Sequence, residues 1–189
     1  RSRKYNSATI VKEILQNADD AKATCCMFLL DEQRLDSSSD TFLEDNFPEV
    51  TSGSISDLYG PGLYSFNDAE FTNKDLFKLK HMSKGHKAND TESTGRFGQG
   101  FNSVFSITKS PVILTQDMAL FIDSFKLLRK EKTCRNILKI KEHRSAGSDF
   151  FKRFERFPID LNKERLDSSA FFFPFTSRRI RQSVEEEAE

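Results

Sequence analysis

The sequence has no tryptophan, no long hydrophobic run and no net charge. None of its apolar runs approaches the roughly 20 residues that a membrane-spanning helix needs. Lysine plus arginine and aspartate plus glutamate number 29 each, so no strong overall field attracts nucleic acid or an acidic membrane. The 37% of hydrophobic and 31% of charged residues are typical of a globular chain. We therefore expect one soluble domain over residues 1–189, in which any anion site is local.

Cysteine and histidine are scarce as well. Cys25 and Cys26 are adjacent in an apolar run, and three cysteines are an odd number, which fits a reducing compartment better than a disulfide framework. Cys134 has no C-x-x-C partner and the three histidines have no metal-like spacing, so no zinc site is indicated. The N-terminus RSRKYNSATI lacks the apolar stretch of a signal peptide. These features favour a cytosolic protein.

Two common catalytic signatures are missing. The sequence contains no G-x-x-x-x-G-K-[ST] loop, which excludes a P-loop nucleotide site. It contains no G-x-S-x-G elbow, and neither Cys25 nor Cys26 has a visible activating histidine. Hydrolysis by a serine or cysteine nucleophile is therefore not predicted.

Hydrophobic periodicity predicts helices and strands in mixed order. Apolar residues recur at helical spacing from Ser7 to Ala21, which predicts an amphipathic helix. The run TCCMFLLDEQ predicts a buried strand, SPVILTQDMALFID a hairpin, GPGLYSFND a turn and a strand, and SAFFFPF a late strand. This order lacks the strict βαβ alternation of a doubly wound fold and favours an α+β sandwich.

Composition and capping predict four further segments. Residues 31–57 are acidic and rich in serine, which predicts an exposed insertion. FTNKDLFKLKHM predicts a helix capped by Thr72, with Asp75 in its first turn. Residues 82–95 are predicted to be a mobile loop, and residues 177–189 a charged tail. SDFFKRFERFPI predicts a helix with four phenylalanines on one face, which either fill the core or dock another domain.

Three glycines stand close together in GRFGQGF, at residues 95–101. Gly95, Gly98 and Gly100 form G-x-x-G-x-G before a helix-like apolar pattern. A glycine-rich turn that leads into a helix aims backbone N–H groups at one point, where the helix dipole adds partial positive charge. Phosphate is the natural ligand of such a turn, although glycines also form plain turns.

The predicted first helix carries a second polar cluster. At about 100° per residue, Glu13, Asn17 and Asp20 lie within roughly 60° of one another, beside the apolar stripe. Such an asparagine can supply an oxygen ligand to hydrated magnesium, and such a glutamate can act as a base toward water. The alternative is a solvated helix face that ends in a capping aspartate.

The two clusters together resemble a known superfamily. The pattern E-x-x-x-N-x-x-D-A, followed farther along the chain by G-x-x-G-x-G-F, resembles the Bergerat-fold ATPases, which include gyrase B, the ninety-kilodalton heat-shock chaperones, histidine kinases and MutL. The resemblance to the sacsin repeat is closer. ILQNADDA, GPGLYSFNDAEF and GRFGQGFNSVFSITK are similar to its typical LIQNADDA, GPALYxxNDxxF and GRFGxGFNSVYHITD, in the same order over residues 7–109. SAFFFPFTSR is similar to a late strand of that family.

The resemblance implies a fold, a ligand and a set of roles. The fold is a two-layer α/β sandwich with helices on one face of a mixed, largely antiparallel sheet, and ATP with Mg²⁺ is held between the helices and a lid at residues 82–95. Glu13 matches the general base of active members, and Asn17 the magnesium-binding asparagine. Asp20 and Ala21 match the end of the same box.

The resemblance also extends the nucleotide site to the glycine box and the lid. Lys84 lies in the lid, where it would approach the polyphosphate together with His86 and Lys87. The second box, whose backbone would approach the phosphates, comprises Gly95, Arg96, Phe97, Gly98, Gln99, Gly100 and Phe101. The alternative for the lid residues is ordinary exposed charge on a loop.

The adenine-binding box departs from the superfamily pattern. Active members carry D-x-G-x-G, whose aspartate binds the adenine amino group, whereas this chain has FNDAEFT. Asn67 or Asp68 takes the place of the aspartate, depending on where a one-residue gap falls. A neutral Asn67 can still accept from the amine, but more weakly. Ala69 or Glu70 would bring a side chain toward the base, and Ser169 stands where a late glycine is expected.

The sequence thus predicts an ATP-binding regulatory module of a sacsin-like chaperone or co-chaperone, with or without slow magnesium-dependent hydrolysis. Its predicted partners are a nucleotide and protein clients or neighbouring domains of a larger chain, not nucleic acid or membrane. The alternative is a non-catalytic interaction domain that keeps the scaffold but has lost productive nucleotide binding. A DNA-processing ATPase like gyrase B or MutL would need a basic surface, and zero net charge weighs against it.

Overall fold

One six-stranded sheet organises the structure. A computed structural model of the chain describes residues 7–36, 41–48, 55–76, 100–123, 135–144 and 149–176. The strands are β1 (Cys26–Asp31), β2 (Gly62–Asn67), β3 (Val112–Gln116), β4 (Met118–Ile122), β5 (Arg135–Lys139) and β6 (Leu166–Pro174), in the order β1-β2-β6-β3-β4-β5. Each pairing between these strands is antiparallel. The α+β class is confirmed, and in the described ranges the sheet is antiparallel rather than mixed.

Helical segments connect the strands. The α-helices are α1 (Ser7–Asp20), α2 (Phe42–Asn46), α3 (Ile140–Arg144) and α4 (Asp149–Lys152). Three 3₁₀ helices are η1 (Asp57–Tyr59), η2 (Phe101–Ser106) and η3 (Arg153–Arg156), and residues 73–76 are also helical. The predicted first helix and the predicted strands are confirmed. The turn after the glycines leads into the 3₁₀ helix η2. Within the described ranges, no helix has the length and apolar content needed to cross a bilayer.

The central strand, β6, supplies both faces of the core. It pairs with β2 on one side and with β3 on the other. Successive residues of a strand point to opposite faces, so Phe172 packs on one side of the sheet while Phe171 and Phe173 pack on the other. All three phenylalanines are buried. The three phenylalanines of this one strand thus contribute to the apolar clusters on both faces of the sheet.

The helix α1 and the 3₁₀ helix η2 cover one face of the sheet. Ile10 and Ile14 of α1 are buried with Phe101 and Val104 of η2, against Phe171 and Phe173. These α1 residues are four apart, as expected for the apolar face of an amphipathic helix. Burial of each such side chain contributes about 1.5–3 kcal/mol. This packing fixes α1 against the segment that begins at Gly100.

Short helices cover the opposite face, so the predicted arrangement with helices on one face only is wrong. Phe42 of α2 stacks on Phe150 of α4 at 5.7 Å between ring centroids. Phe154 of η3 packs edge-on against Tyr64 at 5.4 Å, and Tyr64 stacks on Phe172 at 4.3 Å. Phenylalanines of α4 and η3 are therefore part of the core, and the alternative that they dock another domain is wrong.

The prediction that residues 31–57 form an exposed insertion is wrong for the described part of that segment. Phe42, Leu43, Phe47 and Ile55 are all buried in the core. Residues 37–40 and 49–54 lie outside the described residues. The segment is acidic and rich in serine overall, but short apolar stretches within it form part of the core on one side of the sheet.

The strand β1 is a sheet edge rather than a buried strand. It pairs with β2 only among the described strands. Met27, Phe28 and Leu30 are consequently 39%, 36% and 59% exposed. The apolar run correctly predicts the strand but not its place in the sheet.

A buried ion pair holds the end of β1 against η3. The Arg153 guanidinium lies 3.0 Å from the Asp31 carboxylate, donates to the Gly60 carbonyl at 3.0 Å, and lies over the rings of Tyr64 and Phe172. Burial raises the pKa of Asp31, but the Gln33 N–H and the charges of Arg153 and Arg156 outweigh it and hold that pKa below its ordinary value.

Candidate functional site

A groove lies between the C-terminal part of α1 and the neighbouring ends of β2 and β6. Its cavity volume is about 10 Å³, which is room for about one water molecule. Its walls combine apolar side chains with amide, hydroxyl and carboxylate groups, contributed by Asn17, Ala21, Asn67, Ala69, Glu70, Phe71, Asp75, Ser169 and Phe171. Apolar walls with a few convergent polar groups are typical of small-molecule sites.

The floor of the groove is a short segment after β2 that hydrogen bonds fix to the sheet. The Ser169 hydroxyl donates to the Ala69 carbonyl at 2.7 Å. The Phe71 N–H donates to the Thr115 hydroxyl at 3.1 Å, and the Gln116 amide donates to the Phe71 carbonyl at 2.6 Å. Because Thr115 and Gln116 end β3, this floor depends on the β3–β4 hairpin.

One side of the groove is closed by an ion pair. The Arg165 guanidinium contacts the Glu70 carboxylate through two nitrogens, each 3.1 Å from Oε2. Both side chains are about half exposed, at 56% and 42%, so the pair stabilises the fold by at most about 1 kcal/mol. The main effect of this ion pair is to hold the Glu70 side chain in place at the groove.

The structure distinguishes Asn67 from Asp68, the two candidates for the position of the adenine-binding aspartate. Asn67 is buried and lines the groove, and its Oδ1 accepts from the Ala69 N–H at 3.1 Å. Asp68 is exposed, and its carboxylate accepts from the N–H groups of Thr24 at 2.7 Å and Cys25 at 2.9 Å, and from the Thr24 hydroxyl. The Thr24 hydroxyl, followed by the Cys25 N–H, lowers the pKa of Asp68. Asp68 therefore fixes the turn between α1 and β1, and Asn67 is the residue of the pair that lines the groove.

The capping prediction at Thr72 is confirmed. The Asp75 carboxylate accepts from the Thr72 N–H at 3.0 Å and from the Thr72 hydroxyl at 2.7 Å, and the Asp75 N–H donates back at 3.3 Å. This reciprocal capping satisfies donors at the start of the helix. Since Asp75 is also buried and lines the groove, the cap forms part of its wall.

Two of the four predicted residues on α1 or directly after it line the groove. Asn17 is half-buried and lines the groove, together with Ala21. Glu13, one turn earlier on the same side of α1, is also half-buried and lies against Gly100. Asp20 is exposed and does not line the groove. The described site therefore runs from Asn67 past Asn17 toward Glu13.

Gly100 is the point at which bare backbone is required. A Cβ built there would overlap the Glu13 carboxylate oxygen Oε2 and lie 2.9 Å from its Cδ. Phe101, the next residue, is buried between Phe171 and Phe173 at centroid distances of 6.5 and 6.4 Å. Phe101 thus anchors the backbone while Gly100 leaves room for the carboxylate.

The remaining predicted site residues lie outside the described residues. They are Lys84, Gly95, Arg96, Phe97, Gly98 and Gln99, together with His86 and Lys87 of the predicted lid. Their roles stay predictions. Within the described ranges, no cluster of three histidine, cysteine, aspartate or glutamate residues could hold a metal ion.

Three wall residues were not among the predicted site residues. Phe71 lies in FNDAEFT and Phe171 in SAFFFPFTSR, but neither was given a role in binding, and Asp75 was predicted only for the first turn of a helix. The pairing of Asn67 with Ser169 in the β2–β6 register brings these segments together. A strand register of this kind joins residues far apart in sequence, so only a prediction of the sheet order could have found them.

Comparison with known proteins supports the resemblance seen in the motifs. A family model described as the Sacsin domain matches residues 2–188. Human Sacsin is 35% identical to this chain over 114 residues, which is 60% of the chain and 2% of Sacsin. The chain therefore spans a small fraction of the length of this relative.

Proposed function

The chain belongs to the Sacsin domain family, and from this premise we propose that it is a Bergerat-type, ATP-binding regulatory module of a sacsin-like chaperone or co-chaperone. The observation that carries the proposal is the groove, where Asn17 and Asn67 face one space and Glu13 is held against Gly100 at its α1 side. Neighbouring domains or protein clients would sense the occupancy of this groove.

The residues present fit a nucleotide with magnesium. At Gly100 the Glu13 carboxylate occupies the space that a Cβ would fill, so the proposed phosphate contacts rest on the backbone of the other glycines of the box, Gly95 and Gly98. Asn17 would provide a hard oxygen ligand to Mg²⁺. When bound, the ion neutralises charge on the phosphates. Phe71 and Phe171 provide apolar walls for a base.

Glu13 is the candidate general base for hydrolysis. Its carboxylate is only half-buried and lies beside Gly100, so it can accept a proton from a water held near the glycine box. Hydrolysis is the part of the proposal that depends on this one side chain. If Glu13→Ala leaves a measured magnesium-dependent ATPase rate unchanged, the base is another group.

Isothermal titration calorimetry with ATP and ADP, with and without magnesium, tests nucleotide binding. Asn17→Ala should abolish the magnesium-dependent part, and Gly98→Val should weaken phosphate binding. Gln16→Ala is the matched control, because Gln16 is the exposed neighbour of Asn17 on α1. No binding to the folded wild-type chain would refute the proposal.

One observation favours the alternative of a non-catalytic interaction domain. The cavity formed by the described residues is about 10 Å³, far below the roughly 300–1,000 Å³ of most small-molecule sites. Ala69 and Glu70 add side chains to its wall. Saturable ATP binding in the micromolar range would exclude this alternative.

A further inference from the structure

The free edge of β1 has the composition of an inner strand. Among the described strands, β1 pairs with β2 on one side and with no strand on the other. From Cys26 to Leu30 it contains no charged residue, proline or glycine, and its register with β2 is continuous, without a bulge. Charges, prolines and bulges are the usual means by which a sheet edge avoids pairing with another chain. This stretch of β1 has none of them.

The opposite edge of the described sheet, β5, is protected. This strand begins at Arg135 and ends at Lys139, so a cationic residue stands at each end. Lys139 also forms an ion pair with Asp117 of the neighbouring turn. A chain that added to β5 would meet these charges, whereas a chain that added to β1 would meet apolar residues.

The backbone groups that face the open edge of β1 can be assigned. The Asp68 N–H, directly after β2, donates to the Cys25 carbonyl at 3.3 Å. These two residues lie opposite each other when the β1–β2 register is continued by one position. Hydrogen-bonded and non-hydrogen-bonded pairs alternate along an antiparallel ladder. The N–H and C=O groups of Cys26, Phe28 and Leu30 therefore point away from β2, toward the open edge.

From these observations we propose that β1 pairs antiparallel with β1 of a second copy of this chain, so that the two sheets become one. Phe28 of one copy lies opposite Phe28 of the other, and Cys26 lies opposite Leu30 on either side of this central pair. Each of these pairs exchanges the outward N–H and C=O groups. Cross-strand pairs of aromatic and apolar side chains add to the stability of the joined sheet.

The two-fold symmetry and the position of the charge select this register. A two-fold axis perpendicular to the sheet sets one residue against itself, and Phe28 is the choice that pairs the whole uncharged stretch 26–30 with itself. With Leu29 at the axis, Asp31 would lie opposite Met27. With Met27 at the axis, only residues 26–28 of β1 would be paired. The register through Phe28 leaves Asp31, which is buried against Arg153, outside the paired stretch.

The exposed side chains favour a second copy as the occupant. Because successive residues point to opposite faces, Met27 is exposed on one face of β1, and Phe28 and Leu30 are exposed on the other. An added strand must therefore be apolar on both faces, as inner strands are. The strand β1 itself meets this requirement. The net charge of zero leaves no overall repulsion between two copies.

The interface is small, so the dimer is expected to be weak. The paired stretch spans about 17 Å, and each exposed side chain adds on the order of 100 Å² or less. This area is below the roughly 800 Å² per partner of a standard stable interface. We expect a dissociation constant between about 10 μM and 1 mM. The pairing is two-fold and uses one edge of each copy, so it ends at the dimer.

Sedimentation equilibrium of the 189-residue chain under reducing conditions tests the pairing. Leu30→Lys should raise the dissociation constant at least about tenfold, because each dimer loses two apolar contacts. Ile137→Lys is the matched control and should leave the dissociation constant unchanged. Ile137 on β5 is 54% exposed and Leu30 is 59% exposed, so the two changes are alike except for the edge on which they lie. Thermal melting of each variant shows that it is folded.

Cross-linking tests the register. The background chain carries Cys25→Ser and Cys134→Ser, which leaves Cys26 as its one cysteine. Leu30→Cys in this background places a thiol opposite Cys26 of the other copy, where Cα atoms about 5.5 Å apart are within reach of a disulfide. Oxidation should link Cys26 to the introduced cysteine between copies, as identified by peptide mass spectrometry. Ile137→Cys in the same background should give no such link.

Each contrary result overturns a defined part of the inference. A wild-type chain that stays monomeric at about 1 mM refutes the pairing, and an unrelated apolar peptide that binds β1 of such a monomer identifies a different occupant. Equal weakening by Leu30→Lys and Ile137→Lys, or growth beyond the dimer, refutes two-fold pairing through β1. A dimer weakened by Leu30→Lys but lacking the Cys26 cross-link refutes the register. No nucleotide enters these measurements, so their outcome is independent of the proposed function.

Discussion

Substitution of Gly100 by alanine should separate stability from function. The backbone at Gly100 has a φ of −63° and a ψ of −50°, which is the right-handed helical region that alanine adopts readily. A Gly→Ala change at such a position stabilises by about 0.4–1 kcal/mol through the unfolded chain. The new Cβ, however, overlaps the Glu13 carboxylate, which is the far end of a flexible side chain.

The magnitude follows from how Glu13 gives way. A side chain forced about 30° from its rotamer costs about 0.5–1.5 kcal/mol, which nearly cancels the gain from alanine. The free energy of unfolding should therefore change by about 1 kcal/mol or less, and the melting temperature by about 2–4 °C or less for a chain of this size. If Glu13 is the proposed general base, its displacement by about 1 Å should cost about 10²-fold in the hydrolysis rate.

Gly62→Ala is the matched control, because it makes the same chemical change in the sheet. A Cβ at Gly62 would lie 2.5 Å from Phe172 Cε2, 2.6 Å from the Phe173 carbonyl and 3.0 Å from Pro174 Cα. Two of these atoms belong to the backbone of the paired strand β6 and have little room to move. Gly62→Ala should therefore destabilise the fold by about 1–3 kcal/mol.

Urea melts and a magnesium-dependent ATPase assay together test the reasoning. In a Glu13→Ala background, Gly100→Ala should cost no further activity, because the displaced group is already gone. Equal destabilisation by Gly100→Ala and Gly62→Ala would contradict the argument that a Cβ at Gly100 meets a flexible side chain whereas one at Gly62 meets backbone. An unchanged hydrolysis rate in Gly100→Ala would contradict the dependence of Glu13 on bare backbone at Gly100.

Four further predictions concern stability and reactivity. Asp31→Ala should destabilise by about 3–5 kcal/mol in urea melts, because it leaves Arg153 buried without its carboxylate; a double change with Arg153→Met should recover part of the loss. The pKa of Asp31 is lowered in the folded chain. The stability that its carboxylate contributes is therefore complete above the ordinary pKa of 3.8 and is lost as the pH falls through the folded-state pKa. Acid titration of Asp31→Asn should show a smaller loss of the free energy of unfolding over that range. Thr72→Ala should cost about 1 kcal/mol by loss of the cap, whereas the exposed neighbour Asn73→Ala should change the melt far less. Burial raises the pKa of the Cys26 thiol, so alkylation at pH 8 should label exposed Cys25 first, and faster labelling of Cys26 would contradict its half-buried position.

Local patterns predicted the elements better than their places in the fold. The α1 helix is encoded by apolar residues at helical spacing, which needs no knowledge of the partner. The strand β1 is equally apolar, yet Phe28 and Leu30 are exposed, because hydrophobicity alone does not distinguish an edge strand from an inner one. The prediction of an exposed insertion was wrong for a related reason. Polar residues of a short helix separate the buried Phe42 and Phe47, so the composition of the segment does not show that these two side chains are buried.

The groove was predictable in part. Glu13 and Asn17 share one side of a helix, and that arrangement follows from sequence spacing. The choice between Asn67 and Asp68 does not, because neighbouring residues at a strand end point in opposite directions, and the outcome depends on the pairing of Asn67 with Ser169. Asn67 and Asp75 accept from residues two and three positions away, whereas Glu70 accepts from the distant Arg165.

The position of β6 has a consequence for synthesis on the ribosome. This last described strand lies between β2 and β3, so the β1–β2 pair and the β3–β5 strands share no direct pairing in the described sheet until residues 166–174 have been made. The phenylalanines of β6 must then insert between two preformed edges, which is a long-range and slow step. A nascent chain halted before Leu166 would present both edges to chaperones at once. Synthesis of β6, rather than formation of α1, is what allows this sheet to close.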